Sequence, residues 1–203
     1  MASHRALGAI SATIAGLIRD RYPRGDFGTA LTVDIYQTRN FEAPMTDGFS
    51  VFLYRTAVNG TIRNLHLRRT SEGRVFRPSL PLDLYYMITP WAEDAERHDR
   101  MLGWVMRMIE DLGVLGSAHL NHYIAETDTF APAETVDIVA EPLALNDYFT
   151  IWDRFPKLPT SATYVLRMVR VDSDVEVGEG PPVQARTFAF TGDVPAGLGG
   201  GAP

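Results

Sequence analysis

Cysteine is absent from the 203 residues. Its absence removes disulfide frameworks, thiolate metal sites and cysteine nucleophiles from consideration. No stretch approaches the roughly 18 consecutive apolar residues that a membrane-spanning helix needs. A basic excess is missing too. The formal net charge is -6 and the sequence pI is near 5.3, which argues against duplex nucleic acid, whose phosphates select a basic face. The glycines form neither a dinucleotide-binding fingerprint nor a P-loop after a strand, and no GxSxG context places a serine on a catalytic turn.

What is present is ordinary for a globular chain: 45% hydrophobic and 22% charged residues, enough at this length for a core of useful size. Residues 3–19 space Leu7, Ile10, Ile14, Leu17 and Ile18 at steps of three and four. That spacing predicts a helix with one apolar stripe, Ser3 as N-cap and Tyr22-Pro23 as the stop. It differs from the continuous apolar core of a signal peptide, so synthesis and folding in the cytoplasm are expected. Residues 32–36 read as a short strand and 49–58 as a stronger one, rich in aromatic and β-branched residues. Asn59-Gly60 then offers the positive φ angles of a tight hairpin turn.

Beyond the turn, Arg63, Arg68, Arg69, Arg74 and Arg77 fall within fifteen residues. They form either a solvated loop or a contact surface for an acidic partner, where charge would serve orientation and specificity. RPSLPLDLYYMITPW follows. Its apolar residues occupy both faces, with Leu82, Leu84, Tyr86 and Ile88 on one and Tyr85 and Met87 on the other. Such a strand needs cover on both sides, and its prolines place the strand proper from Leu82 to before Pro90. Asp83 is then at a bend or paired through a neighbouring strand.

Residues 93–113 predict a second helix with Met101, Leu102, Val105, Met106, Ile109 and Leu112 on its apolar face. Glu93, Asp94 and Glu96 sit at its positive end and Gly113 is a C-cap. His98-Asp99 reads as part of its solvated face. Residues 134–140 form another strand, Asn146 caps a third short helix carrying Tyr148, Phe149, Ile151, Trp152 and Phe155, and residues 162–171 form a further strand. The sum is a single α/β domain over residues 1–173, a mixed central sheet flanked by about three helices. A C-terminal arm spans 174–203, where 30 residues hold 7 of the 17 glycines. Within it residues 182–191 alternate as a strand able to pair with its own sheet edge or with a neighbouring subunit.

Candidate chemistry is sparse. His119 and His122 stand three apart in SAHLNHY near Asp128, a spacing that can begin a metal site on a helix, but no third ligand is fixed and both read as surface histidines. Tyr85, Tyr86 and Trp91 could stack a ligand, although core packing is the default for such residues. No catalytic residue, cofactor or metal is expected.

Five segments taken together resemble the tube-terminator, or cap, proteins of phage-tail-like contractile injection systems: MASHRALGAISATIAGLI, FSVFLYRTAVNGTIRN, RPSLPLDLYYMITPW, EPLALNDYFTIWDRF and ATYVLRMVRVDSD. They cover nearly the whole chain as far as Asp174, and PPVQARTF resembles the closing strand more weakly. The resemblance implies an α/β domain that forms a six-membered ring on the distal end of the inner tube, stops tube growth and meets the last sheath layer. It implies a structural protein with three partners, namely itself, the inner tube protein and the sheath protein, and with neither nucleic acid nor membrane. Assembly is then cytoplasmic, in a bacterium, within a particle that is either released or retained. Arg63, Arg68, Arg69, Arg74 and Arg77, with Arg186 and Phe188 of the arm, are the candidate interface residues. Two alternatives belong to other classes: a monomeric adaptor with a large apolar patch, and a small metal-dependent hydrolase using His119 and His122.

Overall fold

A computed structural model describes residues 4–28, 31–62, 65–126 and 128–178. Helix α1 (Ala6–Arg21) buries Ala6, Ile10, Ile14, Leu17 and Ile18. Arg19 and Arg21 sit in its last turn, where the helix dipole favours cations. Tyr22 leaves the helical region before Pro23, as the residue preceding a proline is driven to do. The expected cap Ser3 lies outside the described residues. A single-turn helix α2 (Arg24–Phe27) leads to strand β1 (Val33–Tyr36), a 3-10 turn η1 (Thr38–Phe41) and the long strand β2 (Gly48–Val58). Gly48 has φ +137, and a Cβ there would lie 2.2 Å from the Thr32 carbonyl oxygen. That oxygen accepts from the Phe49 amide and begins the β1–β2 ladder, so only glycine fits.

The sheet is completed by β5 (Leu80–Trp91), β6 (Val114–Gly116), β7 (Thr135–Ala140) and β8 (Ala162–Val171), after two short strands, β3 (Arg68–Arg69) and β4 (Val75–Phe76), that pair apart from it. Its order is β1-β2-β5-β8-β7-β6. β1 runs parallel to β2 and every other neighbouring pair is antiparallel, a mixed sheet as the sequence implied. β5 is central and longer than expected, running through both prolines. Pro90 lies opposite Phe49 of β2 beyond the end of β8, and Pro81 lies opposite Arg170 of β8 beyond the end of β2. Each proline therefore occupies a position with one ladder neighbour, where a missing amide hydrogen is tolerated.

Both faces of β5 are covered, by different means. On one face Leu84, Tyr86 and Ile88 join α1 and α3 (Ala95–Leu112) in the main core, together with Tyr164, Leu166 and Val169 of β8. Ser11 and Tyr86 hydroxyls lie 2.8 Å apart and Ser11 donates to the Leu7 carbonyl, so the buried phenol is satisfied. α3 ends at Gly113 with φ +59, the C-cap the sequence indicated, but it begins later than expected, capped by Asp94, whose carboxylate accepts from the Glu96 and Arg97 amides. Two expectations on this helix are corrected. Met106 is exposed while Met108 is buried. His98 is buried rather than solvated, because its Nε2 meets the Thr160 carbonyl at 3.1 Å, a partner 62 residues away that periodicity cannot reveal.

On the other face Met87 and Trp91 pack with Tyr36, Phe41 and Leu158 in a smaller cluster. A short helix α4 (Ser117–Leu120) follows β6 on the main-core side, and α5 (Leu145–Arg154) leans on the smaller cluster through Ile151 and Phe155. Asn146 is not the cap of α5. The helix starts from Ala144 without a side-chain cap, and Asn146 lies within it.

Candidate functional site

The turn expected at Asn59-Gly60 does not close a hairpin onto the next residues. β2 pairs instead with β5, Val58 opposite Leu82, and the described residues 59–62 and 65–79 make an excursion beyond the sheet. Within that flap β3 and β4 pair across a turn in which Thr70 donates to the Arg74 carbonyl and Gly73 adopts φ +81. The chain leaving β8 joins it. The Arg77 amide donates to the Val175 carbonyl at 3.0 Å, and the Val177 amide donates to the Val75 carbonyl at 2.8 Å.

Asp83 ties the flap to the body. One carboxylate oxygen accepts from the Met168 amide at 3.0 Å and both accept from the Asn59 side-chain amide. Met168 has φ +59, a left-handed conformation that costs a non-glycine residue about 1–2 kcal/mol. It sits at a bulge where Leu82 and Leu84 of β5 face Val169 and Leu166 of β8. Asp83 is thus both at an irregularity and paired through its neighbour, and it joins all three strands that enter or leave the flap.

The arginines divide. Arg68 is turned inward: it donates to the Ser173 carbonyl, lies 3.7 Å from Asp172 and stacks 4.5 Å over Phe76. Arg74 pairs with Glu72 on the surface, and Arg69 and Arg77 are exposed. Arg63, Arg186 and Phe188 lie outside the described residues. Val58, Leu67, Leu80 and Val175 add exposed apolar area around the flap.

A second outward surface was missed in the sequence. No residue of α5 is buried, yet Leu145, Phe149 and Trp152 are 67%, 50% and 37% exposed. Their i, i+4, i+7 spacing makes one stripe, separate from the face that holds Ile151 and Phe155 against the sheet. Tyr148 pins the helix by accepting from the Ser161 amide at 3.0 Å. The signal lay in the sequence as two apolar faces on a ten-residue helix. At the C-terminal end of α5 a cleft of about 610 Å³ opens between the helix and η1, lined in part by Arg39, Arg154 and Lys157. A second groove runs along its N-terminal half, where burial raises the Tyr54 phenol pKa above its ordinary value.

The histidines are not brought into a ligand set. His119 lies on α4, and the His122 ring packs against Tyr123 with centroids 4.7 Å apart. Among the described residues no group of three His, Asp or Glu side chains is placed to hold a metal ion. Nor is any helix among them long and apolar enough to cross a membrane.

A comparison with curated proteins returned no match. Solved structures share the fold, two terminators among them. The sheath/tube terminator of PVC, an extracellular contractile injection system, in its extended state matches with a TM-score of 0.59 and 14% identity over 90% of this chain. The tube-terminating cap of the anti-feeding prophage matches with a TM-score of 0.53 and 15% identity over 86%. The chain spans 62% and 60% of the lengths of those two. The family described as the Pvc16 N-terminal domain matches residues 9–185, most of the 203 residues, and the chain belongs to that family.

Proposed function

We propose that this chain is a structural cap, the tube terminator of a contractile injection system. It closes a ring of six copies on the distal end of the inner tube, ends tube growth and contacts the last sheath layer. Membership of the Pvc16 N-terminal domain family carries this reading, and the fold shared with two terminators supports it. The role is geometric rather than catalytic. One ring face copies the surface on which tube layers stack, and the opposite face fails to offer it again.

A closed ring uses heterologous contacts, so each subunit needs two different surfaces that fit each other. The flap and the α5 surface are two such areas on separate elements. Arg69, Arg74 and Arg77 of the flap, with Arg63, Arg186 and Phe188 from outside the described residues, are the proposed contacts to neighbouring subunits, tube or sheath. Arg68 acts indirectly by holding the flap together. Assembly takes place in the cytoplasm of a bacterium, in a particle that is afterwards released or retained.

Light scattering on the purified chain, alone and with its cognate tube protein, tests the reading. A mass of six copies, or co-migration with tube protein, is expected. A monomer that never associates with tube protein contradicts it and favours the adaptor alternative, for which the exposed stripe on α5 would be the binding face.

A further inference from the structure

We infer that the cleft at the end of α5 receives the acidic segment 174–176 of a neighbouring copy, joining subunits head to tail. The inference rests on the ring reading and names the contact that would close it. The cleft gathers Arg39, Arg154 and Lys157 against the single carboxylate of Glu42, a local excess of two positive charges in a chain of net charge -6. All four residues are exposed. Lys157 is held at the rim by donating to the Glu42 backbone carbonyl at 3.1 Å. The wall is aromatic, with the Phe41 and Phe155 rings 4.6 Å apart. An occupant therefore needs carboxylates and a compact apolar side chain on one extended segment.

The chain itself supplies such a segment. Residues 174–176 read Asp-Val-Glu, all three are exposed, and Val175 is 51% exposed. The backbone bonds to Val75 and Arg77 keep them extended, so Asp174 and Glu176 point to one side and Val175 to the other. Asp172 is already engaged by Arg68 and by Ser79, whose hydroxyl donates to it at 2.5 Å, which leaves Asp174 and Glu176 as the outward acids. One copy does not bring the two parts together. η1 follows β1, which pairs with the Phe49–Phe52 half of β2, whereas the flap grows beyond Val58. The six residue steps from Phe52 to Val58 alone span roughly 20 Å at strand rise. Exposed ion pairs are individually weak. Their effect is to select register and partner, and repetition around a closed ring multiplies it.

The absence of native cysteine makes the test site-specific. A chain carrying both Thr38→Cys, in the cleft, and Val175→Cys, on the segment, is oxidised in the presence of cognate tube protein and run without reductant. A ladder of linked copies is expected. Its yield should fall at least tenfold when Arg154→Glu and Lys157→Glu are added, fall similarly with Asp174→Lys and Glu176→Lys, and recover when all four reversals are combined. Circular dichroism confirms that each variant is folded. A monomer band alone, or a ladder indifferent to charge reversal, overturns the contact. If light scattering of the same samples still shows a ring, the cap reading survives and only this contact is wrong. If ring and ladder are both absent, both fail.

Discussion

The two faces of the central sheet differ in how they are finished. On the first, α1 and α3 lie over Leu84, Tyr86 and Ile88, and buried residues run continuously from Ala6 to Val169. On the second, five buried residues form a small cluster and the helix laid over it has none buried at all. The first face holds the fold together, and the second leaves apolar and charged groups exposed. On the proposed reading the division separates stability from assembly, so substitutions on the two faces should have opposite signatures.

Leu84→Ala on the closed face should have the largest effect on stability. Leu84 is fully buried, and removing its side chain should cost about 2–5 kcal/mol, lowering the melting temperature by roughly 5–15 °C at this chain length. A variant melting within a degree of the parent would break the contrast at its stronger end. Asp83→Ala comes next. It removes the charged partner of the Met168 amide and of Asn59, a loss of about 2 kcal/mol. Hydrogen exchange should rise in residues 65–79 and 172–178 more than in α1 or α3. Uniform exchange across the chain would show that Asp83 does not hold the flap.

Tyr164 sharpens the same contrast through pH. Burial first and the Glu110 carboxylate second push its phenol up to about 12. The neutral form is favoured in the folded state, so the stability it contributes is complete below pH 10, the ordinary tyrosine value, and is lost as pH rises through 12. Tyr164→Phe should reduce the alkaline decline in stability between pH 10 and 12 by at most about 1.4 kcal/mol per unit. Parallel pH curves for parent and variant would refute the assignment. The smallest change in stability is expected for Phe149→Ser with Trp152→Ser on the open face, within about 0.5 kcal/mol per site, together with loss of association. A large drop in melting temperature, or unimpaired assembly, would place α5 in the core or outside the interface.

Much of the closed face was legible because it obeys local rules. The α1 stripe, the Gly113 cap of α3 and the two-sided apolar pattern of β5 are all properties of neighbouring residues. What escaped depends on distant partners. Asn59-Gly60 resembles a hairpin turn, yet Asn59 spends its side chain on Asp83, and the partner strand β5 begins only at Leu80. His98 is buried by a carbonyl from another element. The two-residue strands β3 and β4 are too short for periodicity to register, and so are β6, with three residues, and α4, with four. The candidate surface was half visible. The flap arginines stood out by charge, but Arg68 turned inward, and the α5 stripe was read only as part of a helix because its exposure follows from how the sheet beneath it is covered.

The most direct measurement is the length distribution of tubes polymerised from the cognate tube protein with and without this chain, imaged by electron microscopy. The account predicts shorter tubes in its presence, each closed at one end by a six-fold ring. Tubes of unchanged length with bare ends on both sides would contradict it.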